Sequence, residues 1–171
     1  DQAWSKSTGT GSVVSSIDTG VRYTHQALRG QYRGNLGATF NHNGNWKDPT
    51  GVCGSTPCDN TSHGTHVTGT MAGGDGGSNQ IGVAPGAKWI ACKGCANNST
   101  CYGSHLMSCA QWVLDPLGNG GSGQPDVVNN SWAGGGGDAW FMGFVDSWRA
   151  AGIFPAFSAG IMEAMRPSRQ S

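Results

Sequence analysis

Two short stretches of this sequence carry side chains able to move protons. Asp18 follows the apolar run Val13-Val14-Ser15-Ser16-Ile17 and precedes Thr19-Gly20, so its carboxylate belongs where a strand ends. Taken alone, an Asp there reads as a strand terminating in a turn. His63-Gly64-Thr65-His66 opens a segment with helical character, and Gly64 lets another chain segment approach His63 closely. Two His three apart suggest a metal, but the zinc-peptidase form needs a Glu beside the first His and four-residue spacing, and neither is present. A His at a helix N-terminus next to a carboxylate from a neighbouring strand is instead the base and orienting acid of a nucleophilic triad. The third member remains to be identified.

The elements that would position these groups alternate. Residues 11–17, 88–93, 126–131 and 153–159 are short apolar-leaning runs ending in polar or Gly-rich turns, and each reads as a buried strand. Residues 63–73, 106–114 and 138–151 read as helices. In the last, Trp140, Phe141, Phe144, Val145 and Trp148 recur at steps of three and four, with Asp138 as N-cap and Gly152 as stop. Alternating strands and helices predict a three-layer α/β fold: a mostly parallel, doubly wound sheet with helices on both faces and chemistry at the carboxyl ends of its strands. Residues 41–62 and 115–125 read as surface loops.

Composition narrows the function classes. The 171 residues suit one domain, able to bury roughly 70% of its unfolded surface. Ten Lys plus Arg balance ten Asp plus Glu, leaving no bulk field for nucleic acid or an anionic membrane. No apolar run approaches the roughly 20 residues that a bilayer crossing needs. The chain opens on Asp1 and reads as a processed or excised product.

Six cysteines, at 53, 58, 92, 95, 101 and 109, lie among Asn, Ser, Thr and Gly and favour disulfides in an oxidising compartment. Cys92-Lys93-Gly94-Cys95 also invites a redox dithiol or half a zinc site. It follows a strand rather than opening a helix, and Cys101 with Cys109 forms no familiar second ligand pair. Spacing around the strand end disfavours Cys92 with Cys95. The expected pairs are Cys53 with Cys58, Cys95 with Cys101, and Cys92 with Cys109.

Ser16-Ile17-Asp18-Thr19-Gly20-Val21, then residues 62–73 (SHGTHVTGTMAG), then Ile81-Gly82-Val83-Ala84-Pro85 resemble, in order and spacing, the successive Asp, His and following signatures of the subtilases, the subtilisin-like serine proteases. Residues 126–132 (DVVNNSW) and 151–160 (AGIFPAFSAG) look most like the bacillopeptidase F branch. The resemblance implies a serine endopeptidase in which Asp18 stabilises the imidazolium of His63, the general base and then acid. It implies that Ser131, Trp132 and Ala133 on one side, and Ser158, Ala159 and Gly160 on the other, line the pocket for an extended polypeptide pairing as an added strand. Ala133 stands where the family usually has Gly. His66 matches a structural position. Polypeptide substrates, with a prodomain or inhibitor in the same cleft, are the implied partners, and secretion is the implied location. Nucleic acid, membrane and cofactor are not implied.

Three departures qualify the match. Ile161 follows Ser158-Ala159-Gly160 where the family has its oxyanion Asn, and isoleucine offers no donor to a developing negative charge. No Gly-Thr-Ser-Met-Ala segment supplies the catalytic Ser, since Ser168 lies in a basic tail. Asn79-Gln80-Ile81-Gly82 is shorter than the family's calcium loop and Ala27 replaces an expected Asp ligand, so no metal is carried over. The expected division is therefore residues 1–160 as the N-terminal part of a catalytic domain, ending before the Ser, and 161–171 as a divergent tail. A frame shift would account for that tail: an ATA codon at Ile161, read two bases later through Met162 and Glu163, encodes Asn then Gly. A chain of residues 1–171 is then expected to be inactive. The alternative function is a pseudoprotease that binds extended peptides without cutting them.

Overall fold

The computed structural model describes residues 3–77, 81–134 and 139–159. In chain order these form β1 (Val13–Asp18), β2 (Trp46–Lys47), α1 (His63–Ala72), β3 (Lys88–Lys93), α2 (Gly103–Leu114), β4 (Val127–Asn130), α3 (Met142–Ala150) and β5 (Phe154–Phe157). The strands build one parallel sheet in the order β2-β3-β1-β4-β5. The α/β architecture expected from the alternation is the one observed.

The sheet's two faces follow from the two-residue period of its strands. On one face Val14, Trp89 and Ala91 pack with Ala72 of α1, with Trp46 of β2 and with Leu28 and Tyr32 from the loop between β1 and β2. On the other, Ile17, Cys92 and Val128 meet Leu106, Cys109, Ala110 and Val113 of α2, together with Phe141, Trp148 and Ile153. Trp148 is fully buried and its indole N–H donates to the Ala110 carbonyl at 3.1 Å, which ties α3 to α2. β5 is the edge of the described sheet, and Phe154 there is 66% exposed.

Boundaries differ from the sequence expectations for local reasons. β1 begins two residues later than expected because Gly11 lies at φ +92° and the Asp126 carboxylate caps the Val13 N–H at 2.7 Å. It also runs one residue further, so Asp18 is itself the last strand residue. α2 starts at Gly103, before Leu106, since its first turn is polar and gives no apolar spacing to read. β2 lies inside the stretch read as loop; it is two residues long and pairs with Ala91 and Cys92 of β3. Asp138, the expected cap of α3, lies outside the described residues, and the helix begins at Met142.

The three disulfides are Cys53–Cys58, Cys92–Cys109 and Cys95–Cys101, as expected. Cys92–Cys109 joins β3 to α2 across the buried face, closing a separation of 17 residues. We predict that replacing both by Ala costs about 3 kcal/mol, most of it by freeing the unfolded chain. Urea unfolding checks this, and a loss below about 1 kcal/mol would show that burial alone holds α2 in place.

Candidate active site

β1 is the central strand, with β3 and β4 on either side. Asp18 pairs in register with Lys93, Ile17 with Asn130, and Asn130 with Phe157. Asp18, Ser131 and Ser158 therefore emerge at one carboxyl edge.

Asp18 is 2% exposed, and its Oδ1 accepts hydrogen bonds from the Thr19 backbone N–H at 2.6 Å and from His63 Nδ1 at 2.7 Å. An ionised carboxylate only accepts, so Nδ1 carries the proton of the neutral imidazole and Nε2 is left as the base. The His63 side chain is half exposed, which opens Nε2 to an incoming group. Asp18 is fixed from the backbone too, its carbonyl accepting the Cys95 N–H at 3.0 Å.

His63 opens α1, and helix starts leave backbone N–H groups without intrahelical partners. Ser62 sits at φ 69° and makes no side-chain cap. Thr19 Oγ1 takes the Gly64 N–H at 2.9 Å instead, and Asp59 Oδ2 takes the Thr65 N–H at 2.9 Å. Asp59 further accepts from the hydroxyls of Thr19, Thr61 and Thr65 and from the Thr61 and Ser62 N–H groups. Gly64 is required by contact: a Cβ there would lie 2.1 Å from the Gly20 carbonyl oxygen and 3.0 Å from Asp18 Oδ1. The helix thus approaches the Asp18-Thr19-Gly20 turn closely enough for the imidazole to reach the carboxylate.

The two further segments also meet. The Ser158 N–H donates to the Asn130 carbonyl at 3.0 Å and its hydroxyl to the Trp132 carbonyl at 3.0 Å. Asn129 Nδ2 donates to the Ser131 hydroxyl at 2.8 Å. Trp132 packs edge-on to Phe141 and Phe157, at 5.1 and 5.8 Å between ring centres. Ala133 and Ala159 are exposed beside them, while Gly160 and Ile161 lie outside the described residues. His66 stays apart from the Asp18–His63 pair and lines a cavity of about 460 Å³ with Arg22, His25 and Ala27. Among the described residues no cluster of three or more His, Cys, Asp or Glu is disposed to hold a metal ion, and no helix is long and apolar enough to cross a membrane.

Residues 9–164 match the sequence model of the subtilase family. The chain belongs to that family. It is 48% identical over 169 residues to bacillopeptidase F of Bacillus subtilis strain 168, a match covering 93% of this chain and 12% of the relative. Subtilisin-like protease 3 of Pseudogymnoascus destructans is 32% identical over 131 residues, covering 77% of this chain and 28% of that protein. The crystal structure of fervidolysin from Fervidobacterium pennivorans, described as a keratinolytic enzyme related to subtilisin, superposes with a TM-score of 0.70 and 26% identity over 93% of this chain and 22% of its own. This subtilase chain thus spans well under a third of the length of these relatives.

Thr19, Asp59 and Lys93 also belong to the site, in roles that the motifs alone do not assign. A signal existed for two of them: Asp59 stands four residues before His63, and Lys93 is a lone charge ending an apolar strand.

Burial pushes the Asp59 carboxyl up, but the hydrogen bonds from Thr65, Thr61 and Thr19 outweigh it and its pKa lies below the ordinary carboxylate value. Asp48 is likewise lowered, burial being outweighed by bonds from Thr50, Cys53 and Gly54. With the folded values depressed, the unfolded chain binds more protons in acid. The stability they contribute is full above about pH 4 and is lost as pH falls through the folded values. We predict that Asp59→Asn removes part of this acid dependence and costs about 1 kcal/mol near neutrality, because an amide accepts fewer and weaker hydrogen bonds than the carboxylate. Urea midpoints between about pH 5 and about pH 2 test it, and an Asp59→Asn profile as steep as the wild type's would refute the assignment.

Proposed function

We propose that this chain is the Asp- and His-bearing part of a secreted serine endopeptidase that hydrolyses peptide bonds through an Asp/His/Ser triad. The observation that carries the reading is the 2.7 Å bond between His63 Nδ1 and a buried Asp18 at the carboxyl edge of the sheet. In this mechanism His63 Nε2 removes the proton from a serine hydroxyl as it attacks the substrate carbonyl. Asp18 keeps the imidazole in the required tautomer and offsets the charge it gains, and the proton then passes to the leaving amine. Residues 131–133 and 158–160 take the extended substrate by strand addition. Three disulfides fit an oxidising, extracellular location.

Residues 1–160 serve as the front of the catalytic domain, and 161–171 as a tail that lacks both the oxyanion Asn and the Ser segment. A pseudoprotease is the weaker reading, because a purely binding protein would have no use for a carboxylate held buried against a half-exposed imidazole.

Residues 1–171 alone are expected to cleave no casein and to take up no fluorophosphonate label, and Ile161→Asn should not rescue them. A chain with the Asn and the Ser segment restored should be active, and His63→Ala in it should lower kcat on the order of 10⁶-fold, the size known for subtilisin stripped of a triad member. Casein hydrolysis that survives His63→Ala would overturn the triad.

A further inference from the structure

Lys93 ends β3 opposite Asp18 and is fully buried. Its ammonium donates to the Thr19 carbonyl at 2.5 Å. Thr19 is the residue whose N–H holds Asp18, whose hydroxyl donates to Asp59 at 3.0 Å, and whose hydroxyl oxygen takes the Gly64 N–H in the first turn of the His63 helix. A methionine would fill the same volume without desolvating a charge, so packing alone does not account for a lysine here.

The surroundings supply a reason. Asp18 is buried at the end of β1 with its Oδ2 unpartnered among the described residues, Asp59 precedes α1, and Asp48 follows β2. These three carboxylates act on the Lys93 ammonium; the elements packed on β3 also carry Lys47 on β2, His63 and His66 on α1, and His105 on α2. Burial holds the Lys93 pKa below the ordinary lysine value, and Asp59, Asp48 and Asp18 oppose that shift only in part.

We propose that Lys93 is a positioning residue for the Asp18–His63 pair, its ammonium fixing the Thr19 carbonyl and offsetting one of the carboxylate charges packed behind the imidazole. This rests on the triad reading above. The cation limits how negative the field at His63 becomes. Removing it stabilises the imidazolium, so the free base exists over a narrower range of pH.

The test uses the chain with its serine segment restored. Lys93→Met should move the acid limb of kcat/KM, and the NMR titration of His63, upward by about one pH unit, the order expected for a unit charge lost from the groups that hold Asp18. Turnover should fall about tenfold, with KM changed less than about twofold. Lys93→Arg, which keeps the charge, should leave the acid limb in place. Unmoved limbs in Lys93→Met, or equal shifts in both variants, would overturn the inference. The triad itself would survive either result as long as His63→Ala is inactive. Should Lys93→Met not fold, the wild-type Lys93 Nζ resonance decides: an exchange-protected ammonium across the active pH range supports the role, and a neutral amine overturns it.

Discussion

A carboxylate buried at the end of the central strand is costly to desolvate, and the site is organised around the groups that compensate it. Asp18 meets that demand with two charge-assisted hydrogen bonds, one from its neighbour's backbone and one from His63. The second requires a helix that begins within reach. That in turn requires a glycine at 64, where any Cβ would strike the Gly20 carbonyl, and a glycine at 20, where φ is +107° and a Cβ would lie 2.0 Å from the Cys58 carbonyl oxygen. The signature around His63 is thus a statement about how closely two backbones must approach.

Thr19 and Asp59 convert that approach into a rigid assembly. A usual helix cap lies one residue before the helix, yet Ser62 is left-handed and makes no cap, and the first-turn donors are satisfied by side chains from Thr19 on the β1 turn and from the loop at Asp59. Capping and active-site construction are therefore one set of bonds. Beneath them the fully buried Lys93 joins β3 to the same Thr19. The Cys92–Cys109 and Cys95–Cys101 bridges begin on the residues immediately before Lys93 and two after it.

The layered architecture was legible in the sequence because buried parallel strands and amphipathic helices leave periodic apolar runs, as in β3 and α2. Asp18 and His63 were legible through the motifs around them, and their contact across 45 residues is the geometry those motifs predict. The disulfide pairs followed from spacing. β2 was hidden because two residues carry no period; it is a strand only by pairing with β3. Thr19 was hidden for a different reason. It reads as an ordinary turn former, and its importance comes from Asp59 and Gly64, 40 and 45 residues away, which local composition does not encode.

The placement of β1 has a consequence for how the molecule comes into being. Of the described strands β1 comes first in chain order and lies at the centre, and its partners on both sides, β3 and β4, are about 75 and 113 residues further along the chain. Few of its hydrogen bonds can form early, because each waits on the closure of a long loop. Asp18 thus stays hydrated until β3 and β4 have been made and can pair with β1. It becomes the desolvated partner of an imidazole only when the sheet closes around it, so the chemistry appears together with the tertiary structure and not before.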